Sequence, residues 1–248
     1  MKFELMIQNG DSIYMPLIKD DVQWTTERRG APGKLAFSVV KDGVIDFQEG
    51  NPVSLKVDGV NIFYGFVFTK KRDKDQIIDV VAYDQMRYLK NKDTLIYTNK
   101  TASEVIRMIA GIKYDGVTYG LQLGEIEPTE YVIPRRSEDN TTLMDMIYTA
   151  LDLELTNKKK MYVLYDDFGK LTLKSLKNLQ VDLLIDEETG ENFDYTSTID
   201  DATYNRVNLY YGDEKTGDRQ RYVVYDSNNI NKWGVLRRCN MDCVNSEI

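Results

Sequence analysis

The stretch Pro52-Val53-Ser54-Leu55-Lys56-Val57-Asp58-Gly59-Val60-Asn61-Ile62-Phe63-Tyr64-Gly65-Phe66-Val67-Phe68 contains two runs of period-two alternation joined by Asp58-Gly59. An Asp-Gly pair between two alternating runs is a strong hairpin signal, because both central residues of the tight turn need a positive φ. In the second run Val60, Ile62, Tyr64, Phe66 and Phe68 share one phase. Working outward, Lys34–Val40 and Gln76–Tyr83 read as further strands of the same sheet. The two faces differ in polarity, so one face is expected to be buried and the other wet. Residues 1–93 therefore read as β, and short strands separated by turns predict a small barrel or sandwich.

Beyond this block the period changes. A helical turn is expected from Asp84, with Met86 and Leu89 facing inward. Thr101-Ala-Ser-Glu104 is a capping box, in which each end's side chain satisfies the other's orphan amide. Val105, Ile106 and Ile109 form the buried stripe of the helix that follows, and Gly111 stands at its C-terminal cap. A second helix is predicted from about Asn140 to Asp152, with Leu143, Ile147, Ala150 and Leu151 on one face and Met144 and Met146 flanking it. A hairpin follows: Met161–Tyr165, a turn over Asp166-Asp167-Phe168-Gly169, then Lys170–Lys174. Strands are also expected at Arg206–Tyr211 and Gln220–Tyr225, around a turn at Gly212–Asp218. The class is α+β, mainly β. Seven of the eight net negative charges lie in residues 181–248, where 7 basic residues face 14 acidic ones.

Composition narrows the chemistry. The 248 residues are 42% hydrophobic and 29% charged, as in packed globular proteins. Histidine is absent, which excludes His-based triads and His metal sites on this chain. Two cysteines, Cys239 and Cys243, exclude a disulfide framework. Their spacing would put both thiols on one face of a helix, two ligands short of a structural zinc site, so they are read as two reduced cysteines with packing roles, with interchain ligation as the alternative. The net charge of −8 argues against specific nucleic-acid binding and against anionic membranes. Glu4 interrupts the N-terminal run MKFELMIQNGD, so no secretory signal is read there, and no apolar stretch approaches the roughly 20 residues of a membrane helix. Synthesis in a reducing cytosol is the expectation.

The acidic pairs Asp166/Asp167, Asp186/Glu187/Glu188 and Asp200/Asp201 fall in expected turns, where Asp serves the backbone, and are read as solvated. Asp186 to Asp194 fails as a calcium loop, since Gly190 is fifth from Asp186 where that loop needs its glycine sixth. Gly116, Gly120 and Gly124 read as turns and strand ends. Arg28-Arg29, Lys70-Lys71-Arg72, Arg135-Arg136, Lys158–Lys160 and Arg237-Arg238 read as solvated faces, with protein contacts as the alternative. The 27 aromatic residues, 17 of them Tyr, suit interfaces and strands equally. No phosphate loop, dinucleotide fingerprint or nucleophile elbow is present. No catalytic, cofactor-binding or metal-ligating residue is singled out and no cofactor is expected. An interaction role is favoured over an enzymatic one.

One stretch adds a resemblance. Val80–Ile106, VVAYDQMRYLKNKDTLIYTNKTASEVI, resembles the XkdQ/YqbQ-like baseplate hub proteins of contractile phage tails and tail-derived bacteriocins. Thr142–Leu176, TLMDMIYTALDLELTNKKKMYVLYDDFGKLTLKSL, looks like the helix-then-hairpin module of the wider superfamily of tail hubs and secretion spikes. Asn205–Leu236, with Trp233-Gly234, and Gly33–Asp42 are similar to further family segments.

The resemblance implies a structural hub forming a homotrimer with two tube-like β-barrel domains per subunit. The resulting ring would dock on the hexameric tail tube protein on one side and receive the trimeric spike and other baseplate proteins on the other. On that view residues 1–95 form the first tube-like barrel domain. Residues 96–180 form an α+β domain that is part of the second, and the acidic segment 181–248 returns to complete the first. An acidic bore would repel DNA phosphates. The protein would be made in the bacterial cytoplasm and assembled into a virion or phage-tail-like particle. Family members run some tens of residues longer, so a fragment or shortened member is expected. Two competing readings are a tail-associated or secretion-spike binding module for a cell-wall polymer, and a cell-wall hydrolase of the carboxylate type. The hydrolase predicts one acid of raised pKa in a cleft.

Overall fold

The computed structural model describes residues 2–19, 21–74, 76–114, 116–182, 198–199, 203–212, 219–235 and 238–243. The chain divides into two compact units, residues 1–181 and residues 182–248.

The first unit begins with seven strands: β1 (Phe3–Asn9), β2 (Ser12–Tyr14), β3 (Gln23–Thr25), β4 (Lys34–Val40), β5 (Pro52–Val57), β6 (Val60–Arg72) and β7 (Ile77–Tyr83). They form one antiparallel sheet in the order β2-β1-β5-β6-β7-β4-β3. The β5–β6 hairpin is as the sequence predicts: Val57 pairs with Val60, and Asp58 and Gly59 take φ of 50° and 80°. The turn also holds the N-terminus, since the Lys2 N–H donates to Asp58 Oδ1 at 2.6 Å and the Asp58 N–H donates to the Lys2 carbonyl at 2.8 Å.

The two ends of the sheet belong to one continuous segment. Ser12–Tyr14 pairs with β1. A few residues on, Val40 N–H donates to the Leu17 carbonyl and Lys19 N–H to the Ser38 carbonyl, both at 2.9 Å, and Ile18 bridges Val39 on β4. In a flat sheet β1 and β4 would stand four strand spacings apart, ~19 Å. The chain from Tyr14 to Leu17 spans at most ~11 Å. The sheet must therefore curl until β1 and β4 come close. No ladder joins β2 to β3 among the described residues, so the result is a curled wall and not a continuously bonded barrel.

Leu5, Ile7, Leu35, Phe37, Val39, Val53, Leu55, Phe63, Val67, Ile78, Val80 and Ala82 fill the concave side, together with Ile45 and Phe47 from the loop after β4. On β6 the inward residues are Phe63, Gly65 and Val67; Tyr64, Phe66 and Phe68 lie on the opposite side and are half-buried. The expectation of one wet face is thus corrected along this strand. Its convex side is covered by the second half of the unit.

That half contains a 3-10 turn (Gln85–Lys90), β8 (Lys92–Lys100), α1 (Ala102–Ala110), β9 (Lys113–Tyr114), β10 (Val117–Thr118), β11 (Leu123–Ile126), β12 (Ile133–Thr142), α2 (Leu143–Lys158), β13 (Tyr162–Asp166) and β14 (Leu171–Ser175). The Thr101 capping box is present, and Val105, Ile106 and Ile109 are buried as predicted. Helix α2 starts later than expected, because residues up to Thr142 pair with β8. It also runs on past Asp152, through Glu154. This carboxylate breaks the apolar stripe in sequence. It is fully buried because it accepts N–H bonds from Glu130 (3.0 Å) and Tyr131 (2.7 Å), which fixes the loop before β12. The second core gathers on α1 and α2, the β8–β12 ribbon and the sheet β11-β14-β13.

The second unit contains β15 (Arg206–Gly212), β16 (Arg219–Tyr225), α3 (Ser227–Trp233) and β17 (Arg238–Cys243), with sheet order β16-β15-β17 and β17 parallel to β15. Cys239 and Cys243 are thus on a strand and not on the helix that their spacing would suit. The acidic runs at 186–191 and 200–201 lie outside the described residues. The fold is α+β and mainly β.

Gly65 tests the curl. A Cβ there would meet the Tyr83 carbonyl oxygen at 2.3 Å and the Phe63 ring at 2.6 Å, whereas one on Gly111 meets nothing closer than 3.5 Å. Gly65→Ala is expected to lower unfolding free energy by about 2 kcal/mol or more, and Gly111→Ala to change it by less than about 0.5 kcal/mol, measured by urea denaturation.

Candidate functional site

The first unit has two cores, one from residues between Leu5 and Ala82 and one from residues between Met86 and Leu173. The chain passes between these two lobes once, at Asp84. This residue is 5% exposed. Its Oδ1 accepts the Met86 N–H at 2.9 Å, capping the 3-10 turn, and its Oδ2 accepts the Gly33 N–H at 2.7 Å. A Cβ on Gly33 would meet Asp84 Oδ2 at 2.5 Å, so any larger residue there displaces that carboxyl oxygen. Next in sequence, Gln85 donates to Asp166 Oδ2 at 2.8 Å and accepts the Gln122 N–H at 2.7 Å.

The lobes are fastened on two sides of this crossing. On one side is an aromatic seam: Tyr64 meets Phe168 (5.7 Å between centroids), while Phe66 and Phe68 each meet Tyr88 at 6.2 Å. The β13–β14 turn reaches Tyr64 because Gly169, with φ of 83°, has no Cβ; one would meet the ring at 2.7 Å. On the other side is a clasp, the loop 26–33 between β3 and β4. Arg29 forms a two-point pair with Asp152 of α2 at 2.7 and 2.6 Å, and its guanidinium lies 4.9 Å from the Tyr148 ring centroid. Arg28 reaches the Met161 sulfur at 3.7 Å. The Arg28-Arg29 cluster is therefore exposed, as expected, and at the same time contacts the second lobe.

Between the lobes lies a cleft of about 480 Å³, lined by Trp24, Glu27, Arg28, Asp84, Asp166 and Asp167 among others. Burial pushes the Asp84 carboxyl up to about 7, and the negative charge of Asp166 adds to the rise. Asp166 is raised too, chiefly by burial, against the N–H bonds from Gly169 and Gln85 that favour its charged form. The solvated-turn reading is thereby corrected for Asp166, while Asp167 is exposed in the turn as expected. The turn is there, with Gly169 N–H donating to Asp166 Oδ1 at 2.7 Å. Asp166, however, faces the cleft, and sequence alone had no signal for that. Asp84 has the raised pKa that a carboxylate hydrolase requires of its acid. Both of its oxygens, however, are engaged by backbone N–H groups.

The remaining clusters behave locally. Lys70 donates to the Phe47 carbonyl, with its ammonium 4.6 Å from the Phe47 ring centroid. Arg136 pairs with Glu138, and Lys160 with Glu130. Gly116 and Gly120 take positive φ in turns. Among the described residues no group of three or more Cys, Asp or Glu is placed to hold a metal ion. No helix among them is long and apolar enough to cross a membrane.

A second feature is apolar and exposed. On the segment that links the sheet ends, Ile13, Met15 and Leu17 are 64%, 68% and 65% exposed, alternating with half-buried Tyr14, Pro16 and Ile18. Three large side chains in one phase on the outside of a curled sheet suit contact with another protein.

A curled antiparallel sheet followed by a helix-and-hairpin lobe is a fold found in prophage tail proteins. The chain superposes on the 43 kDa tail protein of prophage MuSo2 from Shewanella oneidensis with a TM-score of 0.68 at 12% identity, covering 100% of this chain and 73% of the other. It belongs to the YqbQ-like family, whose model matches residues 22–243. It is 29% identical to the uncharacterized protein YqbQ of Bacillus subtilis (strain 168), over 90% of this chain and 68% of that protein. It is also 29% identical to the phage-like element PBSX protein XkdQ of the same strain, over 92% of this chain and 69% of that one.

The Asp84 environment predicts a pH dependence. In the unfolded chain this carboxyl titrates near its ordinary 3.8, and in the fold near 7. Between those values the folded state keeps a proton that the unfolded state has released, so stability falls as pH rises from about 4 to about 7. Asp84→Asn removes that slope. The difference in unfolding free energy between wild type and variant is expected to shift by more than about 1 kcal/mol against wild type between pH 4.5 and 8, read by urea denaturation.

Proposed function

We propose that this protein is a structural component of a contractile phage tail or phage-tail-like particle. In this reading it serves as the baseplate hub, joining the tail tube to the trimeric spike and the other central baseplate proteins. The observation that carries the reading is the curled sheet of β1–β7, whose closing segment turns Ile13, Met15 and Leu17 outward. Membership of the YqbQ-like family, the phage-element relative and the fold shared with a prophage tail protein support it. The sheet acts as the first tube-like domain, and the α+β lobe contributes to the second. Copies of the chain associate around a three-fold axis, and exposed edges and apolar side chains that would be a liability in a monomer become interfaces. The protein works by assembly and without catalysis, and it is incorporated into the particle.

Mass measurement by light scattering over a concentration series, with and without purified tail tube, tests this. Self-association to a trimer or capture by the tube is expected. Met15→Glu/Leu17→Glu should weaken that association at least tenfold while leaving the circular dichroism spectrum and unfolding midpoint of the monomer in place. A strictly monomeric protein that ignores tube would overturn the hub reading. In that case binding to cell-wall polymer becomes the better account, and the cleft beside Trp24 is the place to look for it. Product release from purified peptidoglycan would overturn the non-catalytic part.

A further inference from the structure

The assembly role makes no use of the buried acids between the lobes. Asp84 is the single point at which the chain passes from the first core to the second. It is nearly buried, tied to Gly33 on one lobe and to Met86 on the other, and a second shielded acid, Asp166, stands across the cleft. The two fastenings beside it differ in kind. The aromatic seam is a set of ring-on-ring contacts. The Arg29–Asp152 clasp is half-exposed and keeps its charges at neutral pH, since Arg29 holds the Asp152 carboxyl below its ordinary range.

We propose that Asp84 is the hinge of a proton-sensitive closure of the two lobes, closed when the Asp84–Asp166 pair carries a proton and loosened when both carboxylates are charged. The charged and titratable groups that line the cleft with Asp84 are Tyr165, Asp166 and Asp167 from β13 and the turn after it, and Glu27 and Arg28 from the clasp; the charge acting on Asp84 is that of Asp166. On the 3-10 turn, Arg87 is directed away, over the Phe68 ring at 5.5 Å. One cation among four carboxyl-bearing residues, Asp84 and Asp166 included, leaves the pair under-compensated, and low local dielectric magnifies the repulsion. Opening the cleft hydrates both carboxylates, so alkaline pH shifts the population toward the open form by linkage. The seam and clasp limit the excursion, and the Gly33 contact at the root of the clasp is the first to be released.

Trp24 lines the cleft and reports on it. The chain has two tryptophans, so Trp233→Phe leaves Trp24 as the single fluorophore. Acrylamide quenching of Trp24 is measured from pH 5.5 to 8.5, with hydrogen exchange of segment 26–33 corrected for the intrinsic pH effect. Both are expected to rise together, with a midpoint near 7. Asp166→Asn should move the midpoint to lower pH. Asp84→Asn should abolish the transition and leave the cleft closed throughout. A wild-type profile without a transition, a transition that persists in Asp84→Asn, or a midpoint unmoved in Asp166→Asn would each overturn the hinge. If Asp84→Asn fails to fold, the Asp166→Asn midpoint decides alone. None of these readouts depends on self-association or on the tail tube.

Discussion

Eight residues, Ser12–Lys19, impose the shape of the β-sheet. Their backbone is bonded to β1 at one end and to β4 at the other. A backbone group inside a protein needs a partner, and this segment finds its partners on two strands that a flat sheet would hold far apart. The curl follows from that constraint. It gives the sheet a concave side that apolar side chains can fill without a second sheet. It also turns the opposite phase of the same segment, Ile13, Met15 and Leu17, outward.

The curl leaves a convex side to be covered, and the aromatic residues of β6 do this. Tyr64, Phe66 and Phe68 meet Phe168 and Tyr88 from the following lobe. The rings are half-buried by their partners rather than by the sheet's own core, so two separate hydrophobic clusters join along a seam. Because the chain crosses that seam once, the residue at the crossing is shielded from both sides. An acid at such a point has its proton affinity set by the closeness of the lobes, which couples acidity to conformation.

Much of the fold was legible in sequence because its signals are local. Asp58-Gly59 specifies its turn through the φ values it tolerates. The Thr101–Glu104 box specifies a helix start through two hydrogen bonds within four residues. The hairpin after α2 is marked by Asp166–Gly169 at its turn. Elements that rely on distant partners were not legible. Strand β12, IPRRSEDNTT, lacks alternation and is extended because β8 supplies its hydrogen bonds. Glu154 lies beyond the predicted end of the helix, and nothing near it in sequence announces the amides of residues 130 and 131 whose N–H bonds it accepts. Arg29 and Asp152 are more than a hundred positions apart, and nothing near either one announces the other.

The amino-acid sequence by itself determined the class: mainly β with a helical insert, no imidazole chemistry, a strongly acidic final segment, and a resemblance to tail hubs carried by residues 80–106. Those properties depend on residue types and on spacings of a few positions, which survive without knowledge of the tertiary arrangement. Only the tertiary structure decided that the sheet curls, that the aromatic phase of β6 is an inter-lobe seam, and that Asp84 and Asp166 share a cleft. Each of these is a meeting of groups far apart in the chain. Burial and mutual charge, which set how such groups behave, exist only once the chain has brought them together.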